Sequence, residues 1–291
     1  MANYILENDY LTATFKSEGA EISSVRSKES NQEYIWQADP AVWARHAPVL
    51  FPIVGRLKND QYQLNGSTYS MGQHGFARDQ NFSVIDQSSS EITFGLTASP
   101  ETQTLYPFNF VLDIQYTLQE KQLTVAYQVT NQGQETMPFS LGAHPAFYCP
   151  TQRDQKWEEY HLLFEKPETL NRHLLHDGLR SGETEPLLAN EDTLSLHRAL
   201  FESDAIIFKN PTSNWVRIVR QSDGQAIVTV TFTGFPYLGI WQKVGADFYC
   251  IEPWCGLADT QAGQLNFTKK EGILKLSPEK KFKAAYQIKF H

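Results

Sequence analysis

The sequence is poor in cysteine, in positive charge and in long apolar runs. Three cysteines, Cys149, Cys250 and Cys255, occur in 291 residues. Three is an odd number, and their spacing matches no metal motif. They read as small apolar filler in strands rather than as metal or redox groups. Lys and Arg number 25 against 33 Asp and Glu, for a net charge of −8. That balance argues against sequence-independent nucleic-acid binding, which needs clustered cations to displace counterions. It also disfavours an anionic membrane surface. No run approaches the roughly 18 apolar residues of a membrane span. Residues 1–8 lack the basic-then-apolar order of a signal peptide, so a cytoplasmic protein is expected. Internal repeats and low-complexity tracts are missing, and helical periodicity is nearly so.

What is present is strand texture. Leu11, Ala13 and Phe15 alternate with Thr12 and Thr14, the pattern of a half-buried strand. Asn65-Gly66 between two short extended runs is a strong hairpin signal. Residues 108–118 and 123–129 form another expected hairpin, and residues 215–219 and 226–232 a third. The chain closes on Phe282, Ala284, Tyr286, Ile288 and Phe290 in strict alternation. Pro40 followed by alanines predicts a brief helix over residues 40–47. Residues 151–200 are polar and without sustained period, and read as an excursion of loops and small strands. Together these predict an all-β fold, a large antiparallel β-sandwich, with residues 1–291 as a single domain.

Candidate chemistry gathers in a few stretches. Glu252 ends a run, residues 248–251, that is apolar on both faces. A carboxylate there borders low dielectric, which raises its pKa toward that of a useful base. The plainer reading is an ion pair with Arg56 or Arg78. His144 sits between Ala143 and Pro145, and imidazole is the side chain best matched to proton transfer near neutrality. A core histidine bonded to backbone is the plainer alternative. His74 precedes Gly75, in a loop where backbone can approach a ligand. His74, His144 and Glu252 could also form a metal set, although no close pair such as H-E-x-x-H supports it. Arg56 and Arg78 can fork onto hydroxyls or a phosphate, or Arg78 can pair with Asp79 on the surface. Trp36, Phe76, Trp241 and Trp254 offer apolar faces to a ring or fill a core. Asp204 enters an apolar strand, either as a ligand-binding acid or as a turn residue.

Four stretches taken in order, residues 48–57, 73–82, 141–147 and 250–259, resemble the aldose 1-epimerase (galactose mutarotase) family. The likeness is to its galactose-mutarotase-related branch, found beside bacterial lactose-operon genes. The resemblance spans nearly the whole chain. It implies a large twisted antiparallel β-sandwich that interconverts the α and β anomers of free aldoses without metal or cofactor. It assigns Glu252 as the general base that takes the O1 proton and His144 as the acid that protonates the ring oxygen. The two are expected to face each other across the sugar. His74, Arg56 and Asp204 fall at sugar-binding positions; Arg78 and Trp254 join them as candidate sugar contacts on residue type alone. A small-molecule sugar is the expected partner, with no nucleic acid or membrane, for a monomer or homodimer. A branch acting on phosphorylated hexoses shares the His and Glu pair. The two arginines keep that alternative open, and a non-catalytic sugar binder on the same fold remains a further one, since fold does not imply function.

Overall fold

The computed structural model describes residues 3–151 and 155–291. Strands dominate the described residues. Three of them, Asn3–Glu7, Leu11–Lys16 and Ile22–Ser27, form one antiparallel sheet. A second sheet of fifteen strands runs from Val49–Leu50 at one edge to Ser83–Gln87 at the other. Alternation in sequence becomes alternation in burial. Phe110–Gln119 and Gln122–Asn131 bury every second side chain and leave the others half exposed. The buried faces of both sheets meet in one core. Leu11 and Phe15 of the small sheet share it with Ile92, Val125 and Ile251 of the large one. Within it Phe51 packs against Phe110 and Phe139 at ring separations of 5.1 and 6.1 Å. Each such fully buried aromatic contributes about 1.5–3 kcal/mol.

The expected hairpins form. Gln61–Leu64 and Ser67–Ser70 turn over Asn65 and Gly66, both with positive φ. Trp215–Arg220 pairs with Ala226–Thr231, and the last strand, Lys281–Phe290, pairs with Gln122–Asn131.

Two expectations fail. Residues 40–47 make a single turn and no helix. The Asp39 carbonyl accepts from the N–H groups of Val42 and Trp43, and the Trp36 indole N–H then donates to the Trp43 carbonyl at 2.8 Å, drawing the chain away from a helical path. Most of residues 151–200 do not form loops and small strands. Two 17-residue strands, Tyr160–His176 and Leu179–Ser195, make one long hairpin. Its register shifts four times, between Leu163 and Glu168, Glu168 and Thr169, Leu170 and Asn171, and His173 and Leu175. Each irregularity resets which side chains face inward, so no period survives in the sequence. The hairpin tip, Asp177-Gly178, reaches back to the large sheet. There the Arg56 Nη1 donates to the Asp177 carbonyl at 3.2 Å, and the Arg180 N–H donates to the Asp259 carbonyl at 2.8 Å.

Candidate active site

The site is built on strand register. Leu141–Ala143 and Ala146–Tyr148 both pair antiparallel with Phe248–Cys255. Gly142 lies opposite Trp254, and Ala146 opposite Cys250. The same register runs through the gap between the two short strands, which places His144 opposite Glu252. Pro145 has no N–H to give to the ladder, and its carbonyl takes the Ile251 N–H at 3.4 Å. On the other side of Glu252, Tyr237–Trp241 presents Gly239.

Alternation along Phe248–Cys255 then sorts the side chains. Tyr249, Ile251 and Cys255 join the main core, while Cys250, Glu252 and Trp254 take the opposite face. The Trp254 indole lies across the neighbouring strands. A methyl group on Gly239 would stand 2.6 Å from its Cζ2, and one on Gly142 2.7 Å from its Cδ1. Two strands of this face therefore need glycine beside Trp254.

His74 comes from a loop pinned to the segment that follows Val49–Leu50. The Phe51 carbonyl takes the N–H groups of Phe76 and Ala77, and Gly55 exchanges two bonds with His74. A Cβ on Gly75 would lie 2.2 Å from the Phe51 oxygen, so only glycine permits this approach. The Gly55 N–H donates to His74 Nδ1 at 3.1 Å. A neutral His74 thus carries its proton on Nε2 and is a hydrogen-bond donor there.

Three rings surround the His144 imidazole. Trp43 stacks on it at 5.1 Å and 30°, Trp241 meets it edge-on at 5.5 Å, and His74 stands at 5.5 Å and 89°. Its Nε2 lies 3.2 Å from Glu252 Oε2, too close for a sugar ring to pass between them. The expectation that the two face each other across the sugar is corrected here. They are neighbours on adjacent strands of one wall. Glu252 forms no ion pair with Arg56 or Arg78, and neither carboxylate oxygen has a partner of hydrogen-bond geometry.

Burial governs the charge states. It pushes the fully buried Glu252 well above the usual carboxylate range, and the nearby Asp204 charge pushes the same way. It holds His144 down to about 3, and drives His74 well below the ordinary histidine value with help from His144 and Arg78. Burial thus disfavours charge on both groups and favours a neutral carboxylic acid beside a neutral imidazole. Arg78, held by burial down to about 10, is a cationic group against this wall, and its buried Nε has no hydrogen-bond partner.

The wall opens on a cleft of about 310 Å³. His74, Arg78, His144, Asp204, Glu252 and Trp254 line it together, as does Trp241. Arg56 does not line it. Its guanidinium forks onto Asp60 with two bonds of 2.8 Å, and its remaining reach goes to the hairpin tip. Arg78 in turn donates to the Gln73 carbonyl at 2.7 Å and approaches Asp79 only to 3.9 Å. Asp204 is exposed, with φ of 73°, and its Oδ1 accepts the Ala205 N–H at 2.8 Å. Trp36 and Phe76 do not line the cleft; they fill cores. Sequence reasoning missed Trp43, Gln73, Lys243 and the hairpin residues Leu175 and Gly178, all of which line the cleft. Only Trp43 carried a signal, an aromatic among residues expected to be helical.

The family model for aldose 1-epimerase matches residues 3–275. The chain belongs to the aldose 1-epimerase family. It is an enzyme, an isomerase of the epimerase type, with a sugar as its class of substrate. The plasmid-borne protein LacX of Lactococcus lactis subsp. lactis is 34% identical over 293 residues, with 97% of each chain covered. A galactose mutarotase related enzyme from Lactobacillus acidophilus is 35% identical, superposes with a TM-score of 0.95, and covers 100% of this chain and 97% of its own. A galactose mutarotase-like protein from Lactobacillus casei is 35% identical with a TM-score of 0.93, over 100% of both chains. The antiparallel β architecture is that of these galactose mutarotase-like proteins, and the LacX likeness places the chain in the lactose-operon-associated branch. No helix among the described residues is long and apolar enough to cross a membrane.

Proposed function

We propose that this family member interconverts the α and β anomers of a free hexose such as galactose or glucose, with Glu252 as base and His144 as acid. The observation that carries the reading is the 3.2 Å approach of His144 Nε2 to Glu252 Oε2 on the wall of the cleft, with neither carboxylate oxygen hydrogen-bonded. The two oxygens that exchange protons in mutarotation, O1 and O5, sit on the same carbon. The base and the acid must therefore be close neighbours.

The proton balance is simple. In the productive form Glu252 is a carboxylate and His144 an imidazolium. Glu252 takes the proton from the O1 hydroxyl while His144 gives its proton to O5. The C1–O5 bond breaks and C1 becomes an aldehyde carbon. Rotation about C1–C2 presents the other carbonyl face. O5 attacks, returning its proton to His144, and Glu252 gives its proton back to O1. The open-chain stage therefore coincides with a neutral acid beside a neutral imidazole. Burial favours that same state, so the buried position of the pair lowers the energy of the open form relative to the ionised pair. Each proton transfer contributes typically ~10²–10⁴-fold.

The rest of the cleft orients the ring. His74 Nε2–H and Arg78 donate to hydroxyls, Asp204 accepts from them, and Trp254 with Trp241 and Trp43 gives apolar faces. The volume is near the lower end of the ~300–1,000 Å³ usual for small-molecule sites, which suits one ring. The unpartnered Arg78 Nε is the observation that favours a second reading, a hexose 6-phosphate.

The test is anomer exchange followed by proton NMR on glucose, galactose and their 6-phosphates. A free hexose exchanging with wild type, and at least ~100-fold more slowly with Glu252→Gln and His144→Asn, supports the proposal. Exchange confined to phosphates supports the second reading. Free-sugar exchange unaffected by either substitution overturns the assigned roles.

A further inference from the structure

The proton-transfer scheme leaves one buried thiol beside the reacting pair unused. Cys250 stands two residues before Glu252 on the same face of Phe248–Cys255 and is fully buried and unpaired. Its Sγ, a ring nitrogen of His144 and a carboxylate oxygen of Glu252 all lie within 4.8 Å of one another. Among the described residues no other trio of His, Cys, Asp or Glu gathers so closely. A second observation also points to a ligand. Both Glu252 oxygens are buried without a hydrogen-bond partner. Such buried polar atoms are costly to leave unpaired, and a cation bound to the deprotonated carboxylate satisfies them.

We propose that Cys250, His144 and Glu252 form a binding site for a thiophilic divalent cation, Zn²⁺ in particular, and that its occupancy shuts off turnover. The donor set is one imidazole nitrogen, one sulfur and one carboxylate oxygen, each an ordinary zinc ligand. The sulfur selects zinc or cadmium over magnesium or calcium, which prefer all-oxygen shells. Zinc bonds of ~2.0–2.3 Å put tetrahedral ligands roughly 3.3–3.8 Å apart. His144 and Glu252, at 3.2 Å, already meet that spacing. From a separation of at most 4.8 Å the Cys250 sulfur has to close by no more than about 1–1.5 Å. His144 and Glu252 line the cleft, so a fourth position on that side would take water.

On binding, the sulfur–metal bond forms and the S–H bond breaks, with the proton leaving through the cleft to solvent. His144 offers the lone pair of its neutral ring, and Glu252 binds as carboxylate after losing any proton it holds. The ion then occupies the nitrogen and the oxygen that would serve O5 and O1. This inhibitory consequence rests on the acid and base roles proposed above. The existence of the site does not.

The experiment uses the whole purified chain. Co²⁺ is titrated in and the thiolate-to-cobalt charge-transfer band recorded, beside anomer exchange under rising Zn²⁺ with and without EDTA. Cys250→Ala and Cys250→Ser are run in parallel, the serine variant keeping the side-chain volume. Wild type should form the band with one equivalent of Co²⁺. It should lose exchange at least tenfold under Zn²⁺, recover it with EDTA, and ignore Mg²⁺. Both variants should exchange anomers normally in EDTA and show no band. Outer-shell partners alone are worth ~10–100-fold in metal affinity, so loss of a direct ligand should demand at least ~10-fold more Zn²⁺. A missing band in wild type overturns the site, as does a band that survives in both variants. If the band forms but wild type exchanges no anomer of any sugar, the site stands and the proposed function falls.

Discussion

Replacing Gly239 by alanine tests how tightly the wall that carries Glu252 is built. A Cβ there would stand 2.6 Å from Trp254 Cζ2, 2.7 Å from Cη2 and 3.1 Å from Cε2. Carbon atoms normally rest ~3.5–4.0 Å apart, so the indole must retreat by roughly 1 Å. It has little room. Its other end lies so close to the Gly142 backbone that a Cβ there would stand 2.7 Å from Cδ1, and Leu50, Val54, Ile207 and Leu257 pack around it. Overpacking in a closed setting costs about 1–3 kcal/mol. Gly239→Ala should therefore lower the urea midpoint at unchanged slope. Anomer exchange should fall with it, because Trp254 shares a face with Glu252. The decisive assay is a double-mutant cycle with Trp254→Leu. With the indole gone the alanine methyl has space, and most of its cost should vanish, a coupling of about 1–2 kcal/mol. Additivity within ~0.5 kcal/mol would refute the account of Trp254 wedged between two glycines.

Three further outcomes are expected. Trp43→Leu should slow anomer exchange roughly 2- to 10-fold through loss of the stack on His144, with little change in melting temperature; unchanged exchange would remove Trp43 from the site. Arg78→Gln should raise the sugar KM by roughly tenfold or more, whereas Arg56→Gln should alter it less, because Arg78 lines the cleft and Arg56 is committed to Asp60; the reverse order would restore Arg56 as the sugar contact. Glu21 is the pH-sensitive anchor of the segment that carries Trp43. Burial alone would raise its pKa, but the His46 contact and the Lys16 ammonium at 2.6 Å bring it down to about 2. Its stabilisation is then fully present above about pH 4.5 and is lost as pH falls toward 2, on the order of 3 kcal/mol in all. The stability gap between wild type and Glu21→Gln should shrink across that window, and a gap independent of pH would contradict the linkage.

The regular hairpins were legible in the sequence because period-2 alternation and Asn-Gly turns are local signals. The His144 and Glu252 pair was legible as two residue types and a family likeness. Their spacing was not. It follows from register between strands more than a hundred residues apart, which no local pattern records. The long hairpin over residues 160–195 was misread because its bulges scramble alternation. Trp43 was missed because a turn held by the Trp36 indole replaced the expected helix. Arg56 and Arg78 were alike as residue types. Only the partner Asp60, four residues on from Arg56, separates the engaged arginine from the one facing the cleft.

Most enzymes carry their reactive groups on loops, which open at little cost in free energy. Here Glu252, the proposed base, rides on the interior of a sheet, with Phe248–Cys255 paired on both sides, and His144, the proposed acid, sits in the two-residue gap between two short strands paired to it. The amide hydrogens of Cys250 and Ile251 should exchange with solvent only when the whole domain opens. Heat or denaturant should then abolish activity and tertiary structure in one step, with no inactive but folded state on the way. A catalyst of that kind wears out only by unfolding.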